Sequence, residues 1–148
     1  MKERVEGNIS VSIDTSWFGR LFFTSNRVIV VCTEQKRFSP EESSYVTRMI
    51  LRRVHGHEID EDQRREQMYM TAHPDDILAD DTKNFAIPYS NITRIELKKP
   101  GRILTGSITI AAANREKPYK YRLRESSVLF DEYESLLRSL MPDKLFIS

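Results

Sequence analysis

The sequence is poor in nearly every residue that marks a specialised chemistry. Cysteine occurs once, at Cys32. A lone thiol cannot close an internal disulfide, which fits a reducing compartment. Tryptophan also occurs once, and glycine only five times in 148 residues. No glycine-rich phosphate loop is present, and no serine or cysteine nucleophile motif. Neither sign of charge dominates: 23 Lys and Arg face 22 Asp and Glu, a formal net charge of +1. Strong nucleic-acid binders carry a clear basic surplus, so no nucleic-acid partner is expected. Long apolar runs are missing too. Val28 to Cys32 falls far short of the roughly 20 residues that a membrane helix needs. The opening Met1-Lys2-Glu3-Arg4-Val5-Glu6 is charged, with no apolar stretch behind it, unlike a secretory signal. Cytoplasmic residence is therefore the expectation.

What is present fits a small folded domain. Hydrophobic residues make up 39% and charged residues 30%. That is apolar enough for a core and polar enough for a large solvated surface. The length suits one domain, residues 1–148, and is too short for two.

Period-two alternation marks the strands. Ile9, Val11 and Ile13 alternate with polar neighbours. Trp17-Phe18-Gly19 reads as a bend. Leu21 to Thr24 and Val28 to Cys32 flank Ser25-Asn26, the pattern of a hairpin. Ile77-Leu78-Ala79 and Asn84 to Ile87 flank a second hairpin-like break. In Ile92 to Leu97, alternation sets Thr93, Ile95 and Leu97 against Arg94, Glu96 and Lys98. Ile108, Ile110 and Ala112 share one strand face, and Tyr121 and Leu123 another. A closing helix carries Leu129, Tyr133, Leu136, Leu137 and Leu140 as one stripe, with Pro142 as its stop.

Between these strands, residues 34 to 74 are charged and helix-friendly. Ser39-Pro40-Glu41-Glu42 is a helix start. Tyr45, Val46, Met49, Ile50 and Val54 then recur at helical spacing. A second helix is predicted from about Asp60 to Met70. The segment reads as an addition that a short Gly/Ser turn can replace.

Gly19 to Val30 resembles the opening hairpin of the pleckstrin-homology-like and GRAM-like domains of bacteria and archaea. There a Thr-x-x-Arg step, here Thr24 to Arg27, leads into an apolar strand. Phe85-Ala86-Ile87-Pro88-Tyr89-Ser90-Asn91-Ile92 is similar to their Ile-Pro-x-x-x-Ile step. The resemblance covers most of the chain outside 34 to 74. It implies a mainly β (α+β) fold: an antiparallel pleckstrin-homology-like barrel of about seven strands, a C-terminal helix, and residues 34 to 74 as a helical insertion. It also implies a binding module, since members of that family bind lipids, peptides or proteins.

Three groups of residues are candidates for function. Ala72-His73-Pro74-Asp75-Asp76 is similar to a motif of zinc-dependent deacetylases of N-acetylglucosaminyl substrates. Zinc catalysis needs about three protein ligands. The other histidines, His55 and His57, lie upstream and none follows His73. The string therefore reads as a turn, and no catalytic residue, metal or cofactor is expected. His55-Gly56-His57 reads as a helix end, and Cys32 as a buried inert thiol. The second group is basic: Lys98, Lys99 and Arg102, then Lys120, Arg122 and Arg124, with Arg115 and Lys117 between. Lys120, Arg122 and Arg124 share one strand face, and such a stripe attracts acidic surfaces or anionic lipid. The third is the apolar face of Tyr45, Met49 and Ile50, which either packs on the sheet or docks a partner. The expected role is non-catalytic binding of a protein or of a second copy of the chain; the alternatives are anionic membrane lipid bound through the basic strand and, last, a metal-dependent hydrolase using His73, Asp75 and Asp76.

Overall fold

A computed structural model of the chain describes residues 3–35, 61–101, 105–124 and 126–148. The strands are β1 (Val5–Ser12), β2 (Trp17–Thr24), β3 (Arg27–Gln35), β4 (Phe85–Pro88), β5 (Ile92–Lys98), β6 (Ser107–Ala112), β7 (Tyr119–Leu123) and β8 (Leu145–Ile147). The helices among the described residues are α1 (Glu61–Met70), α2 (Pro74–Asp80) and α3 (Ser126–Leu140), with a 3-10 turn at Tyr89–Asn91. The fold is α+β and mainly β.

All the strands lie in one sheet, in the order β4-β3-β2-β1-β7-β6-β5-β8. The expected closed barrel of about seven antiparallel strands is not what forms. Among the described residues the sheet has eight strands, its two edges are not joined, and β8 runs parallel to β5. The sheet is nonetheless strongly curled. Phe85 opens β4 and Tyr119 opens β7, four places apart in the strand order. In a flat sheet, spacings of about 4.8 Å would put them about 19 Å apart. Their ring centroids are 5.6 Å apart.

The curl creates two cores. On the inner face, Ile9, Val11, Leu21, Phe23, Val30, Ile95, Leu97, Ile108 and Ile110 bury against Phe130, Tyr133 and Leu137 of α3. The predicted stripe of α3 is the packed one, and the helix ends at Leu140 before Pro142. On the outer face, Phe22, Ile29 and Val31 are covered by Tyr69 of α1 and Ile77 of α2. Phe22 and Tyr69 meet edge to face, 5.6 Å between centroids. β2 and β3 are therefore buried on both faces, which explains their nearly continuous apolar runs.

Several local expectations are corrected. Trp17 and Phe18 are not a bend but the start of β2. The chain reverses just before them, where the Asp14 carboxylate accepts from the Ser16 and Trp17 N–H groups at 2.7 and 2.9 Å. Ile77-Leu78-Ala79 is not a strand but part of α2. The alternation in β5 is broken by a register shift between Ile92 and Arg94. Ile92 is thus buried and Thr93 exposed, the reverse of strict alternation. The predicted helix with Tyr45, Met49 and Ile50 lies outside the described residues, as do His55 and His57. The second predicted helix, to Met70, forms as α1.

Candidate functional site

The outer face of the sheet is divided. Over β1, β2 and β3 it is occupied by α1 and α2. Asn8, Arg20 and Thr33 point outward there and meet α1. Arg20 donates to both Asp62 oxygens at 2.9 and 2.7 Å and to Asn8 Oδ1 at 2.7 Å. The Thr33 hydroxyl donates to Asp62 Oδ1 at 2.6 Å. Burial alone would lower the Arg20 pKa, but hydrogen bonding and charge from Asp62 and Glu66 raise it. The network fastens α1 to the sheet.

Over β5, β6 and β7 the described residues leave the same face open. Cross-strand register fixes what stands there. Ser107 of β6 is paired with Lys98 of β5 and with Arg122 of β7. Thr109 is paired with Glu96 and with Lys120. Lys98, Lys120 and Arg122 are exposed, whereas Ser107 is buried. Small side chains on the middle strand thus form a floor between taller charged neighbours. Among the described residues, none of these three cations makes an ion pair. Arg94, further along the face, is engaged by its own neighbours: its guanidinium lies 4.0 Å from the centre of the Phe146 ring and 3.8 Å from Glu96.

The expected basic group is therefore only partly brought together. Lys98, Lys120 and Arg122 share the open face. Lys99 sits just past β5, exposed, its N–H donating to the Ser148 carbonyl at 3.0 Å. Arg102 lies outside the described residues. Arg124 is diverted to the covered half: it lies within 3.4 Å of Asp62 and 3.6 Å of Glu34, and 3.9 Å over the Phe18 ring. Arg115 stacks on Tyr119 at 3.9 Å, at the far end of β7.

The histidine string takes a structural role. The His73 side chain caps α2, its Nδ1 accepting from the Asp75 N–H at 3.1 Å, and Pro74 occupies the first turn. The sequence from His73 to Asp76 is a helix start and not a helix-ending turn. Asp75 pairs with Arg27 at 2.7 Å, and this hydrogen bond lowers its pKa. Among the described residues there is no group of three or more potential metal ligands. Cys32 is buried, and burial pushes its thiol pKa up, away from nucleophilic character. An open cleft of about 680 Å³ lies by Arg27, Asn26, Pro88 and Tyr89. Its one cation is already held by Glu3 at 2.8 Å and by Asp75, which leaves little for a ligand.

No family model matches this chain, nor does any curated protein or solved structure. No helix of the described residues is long and apolar enough to cross a membrane.

Proposed function

We propose that this chain is a non-catalytic binding module of the pleckstrin-homology-like kind, and that it binds an acidic protein partner through the open half of its outer sheet face. The observation that carries this reading is the exposure of Lys98, Lys120 and Arg122 on one face without an ion pair among the described residues. The fold class is supported by seven strands in antiparallel succession, ordered 4-3-2-1-7-6-5, followed by a helix on the inner core. The non-catalytic reading is supported by the structural employment of His73, Asp75 and Cys32.

Protein is favoured over membrane by number and shape. Polybasic lipid sites gather about four to eight Lys or Arg. Among the described residues this face offers three cations without an ion pair, the fourth, Arg94, being engaged by Glu96 and the Phe146 ring, so it sits at the lower limit of such a site and carries an acid as well. The cations stand on a sheet and not on a protruding loop. The test is charge reversal of all three, Lys98→Glu, Lys120→Glu and Arg122→Glu, against two probes: a glutamate-rich peptide and vesicles containing phosphatidylserine. The expected result is salt-sensitive peptide binding that the triple variant loses, with no vesicle pelleting. Pelleting of the wild type that the variant loses, without peptide binding, would replace the protein reading with the membrane one.

A further inference from the structure

The register on the open face says more about the partner than its charge. We propose that the face takes an extended, strand-like acidic segment, laid along β6 with carboxylates on every second residue. This inference rests on the acidic-partner reading above and deepens it.

The floor of the site is one strand wide. Ser107 and Thr109 present small hydroxyl side chains, and neither makes a side-chain hydrogen bond among the described residues. The walls stand on the two neighbouring strands. Strands are about 4.8 Å apart, so the walls rise about 10 Å from one another. An α-helix with its side chains is about 10–12 Å across and would ride on top of the walls. An extended chain fits between them.

Spacing along the furrow is set by the pleat. Lys120 and Arg122 are two residues apart on one strand, about 6.8 Å. A ligand in extended conformation repeats with the same step, so its alternate carboxylates meet Lys120 and Arg122 in turn. The two positions are not equivalent. Over Ser107 the ligand has a cation on each side, Lys98 and Arg122. Over Thr109 it has Lys120 on one side and Glu96 on the other. The position over Ser107 is the stronger one, and the hydroxyl beneath it can donate to the carboxylate.

The test uses the full chain and two synthetic peptides of equal composition. In one, glutamate alternates with threonine; in the other, the glutamates are contiguous. Fluorescence anisotropy at low salt should show the alternating peptide binding about fivefold tighter, the discrimination that one matched exposed ion pair supplies. Arg122→Glu should abolish that preference, and Lys120→Glu should reduce it less. A thermal melt of each variant checks that folding is unchanged. Equal affinity for both peptides, weakened for both by Arg122→Glu, overturns the strand geometry and leaves the acidic-partner reading standing. Binding of neither peptide overturns both.

Discussion

Arg20 and Asp62 stand 42 positions apart in the chain and meet in a two-pronged pair, at 2.9 and 2.7 Å, between the sheet and α1. Their side chains are 11% and 4% exposed. Removing one member of a buried pair leaves the other charged and uncompensated, at a cost of about 3–5 kcal/mol. Glu66 also reaches Arg20 and would remain, so Asp62→Ala should fall near the lower end of that range. Asp76 is exposed on α2. Asp76→Ala should change stability by no more than about 0.5 kcal/mol. Urea denaturation of both variants makes the comparison. Similar small losses would mean that the pair does not fasten α1.

Gly19 sits where β2 crowds β3, at a shift in their register. A Cβ placed there would stand 2.3 Å from the Val31 carbonyl oxygen and 2.5 Å from Ile13. Ile13 can move, but the backbone carbonyl belongs to a strand paired on both sides. Gly19→Ala should therefore destabilise by about 1–3 kcal/mol, as overpacking does. Its melting temperature should fall clearly, and a wild-type value would mean that β2 and β3 are less closely packed here.

β6 and β7 were legible because one face of each is packed on the inner core and the chain alternates, and β2 and β3 because their apolar runs are bounded by Ser25-Asn26. Ile108, Ile110, Tyr121 and Leu123 declare their face directly. Short elements were not. β8 spans three residues and owes its existence to β5, with which it pairs far along the chain. No local pattern in Leu145-Phe146-Ile147 announces that. α2 is seven residues long and its cap is a histidine, outside the usual Ser, Thr, Asp and Asn. Of the site, Lys98, Lys120 and Arg122 could be placed by alternation. The fate of Arg124 could not, because it depends on Asp62, a residue of the other half of the face.

Three phenols, Tyr69, Tyr89 and Tyr121, have their pKa values raised, first of all by burial. In Tyr69 the hydrogen bond it donates to Asp80 adds to this. A raised folded pKa favours the protonated form in the fold. The resulting stability is fully present below the unfolded value of about 10 and is lost as pH rises through the raised values. An ultraviolet titration should show these phenols ionising together with unfolding, whereas in urea they should titrate near pH 10. Smooth titration of every tyrosine near 10 in the native protein would contradict their burial.

Residues 34 to 74 read in the sequence as an addition that a short Gly/Ser turn can replace, and the structure gives the opposite expectation. The replacement would remove Tyr69, which covers Phe22, Ile29 and Val31 on the outer face. A buried tyrosine accounts for about 150–250 Å². At about 25 cal/mol per Å², that is on the order of 4–6 kcal/mol. It would also remove Asp62 and Glu66, leaving Arg20 without the carboxylates that hold it. The cap and first residue of α2, His73 and Pro74, would go as well, so Ile77 would lose its setting. Domains are stable by only about 5–15 kcal/mol, and these losses together reach that scale. Loop closure offsets them only in part, since shortening a connection of about 40 residues to about five gains about 2 kcal/mol. The replaced chain should be unfolded or aggregated, by circular dichroism and gel filtration. A soluble, β-rich monomer with an unchanged melting temperature would show that the outer core is dispensable, and that α1 and α2 are attached to the sheet without supporting it.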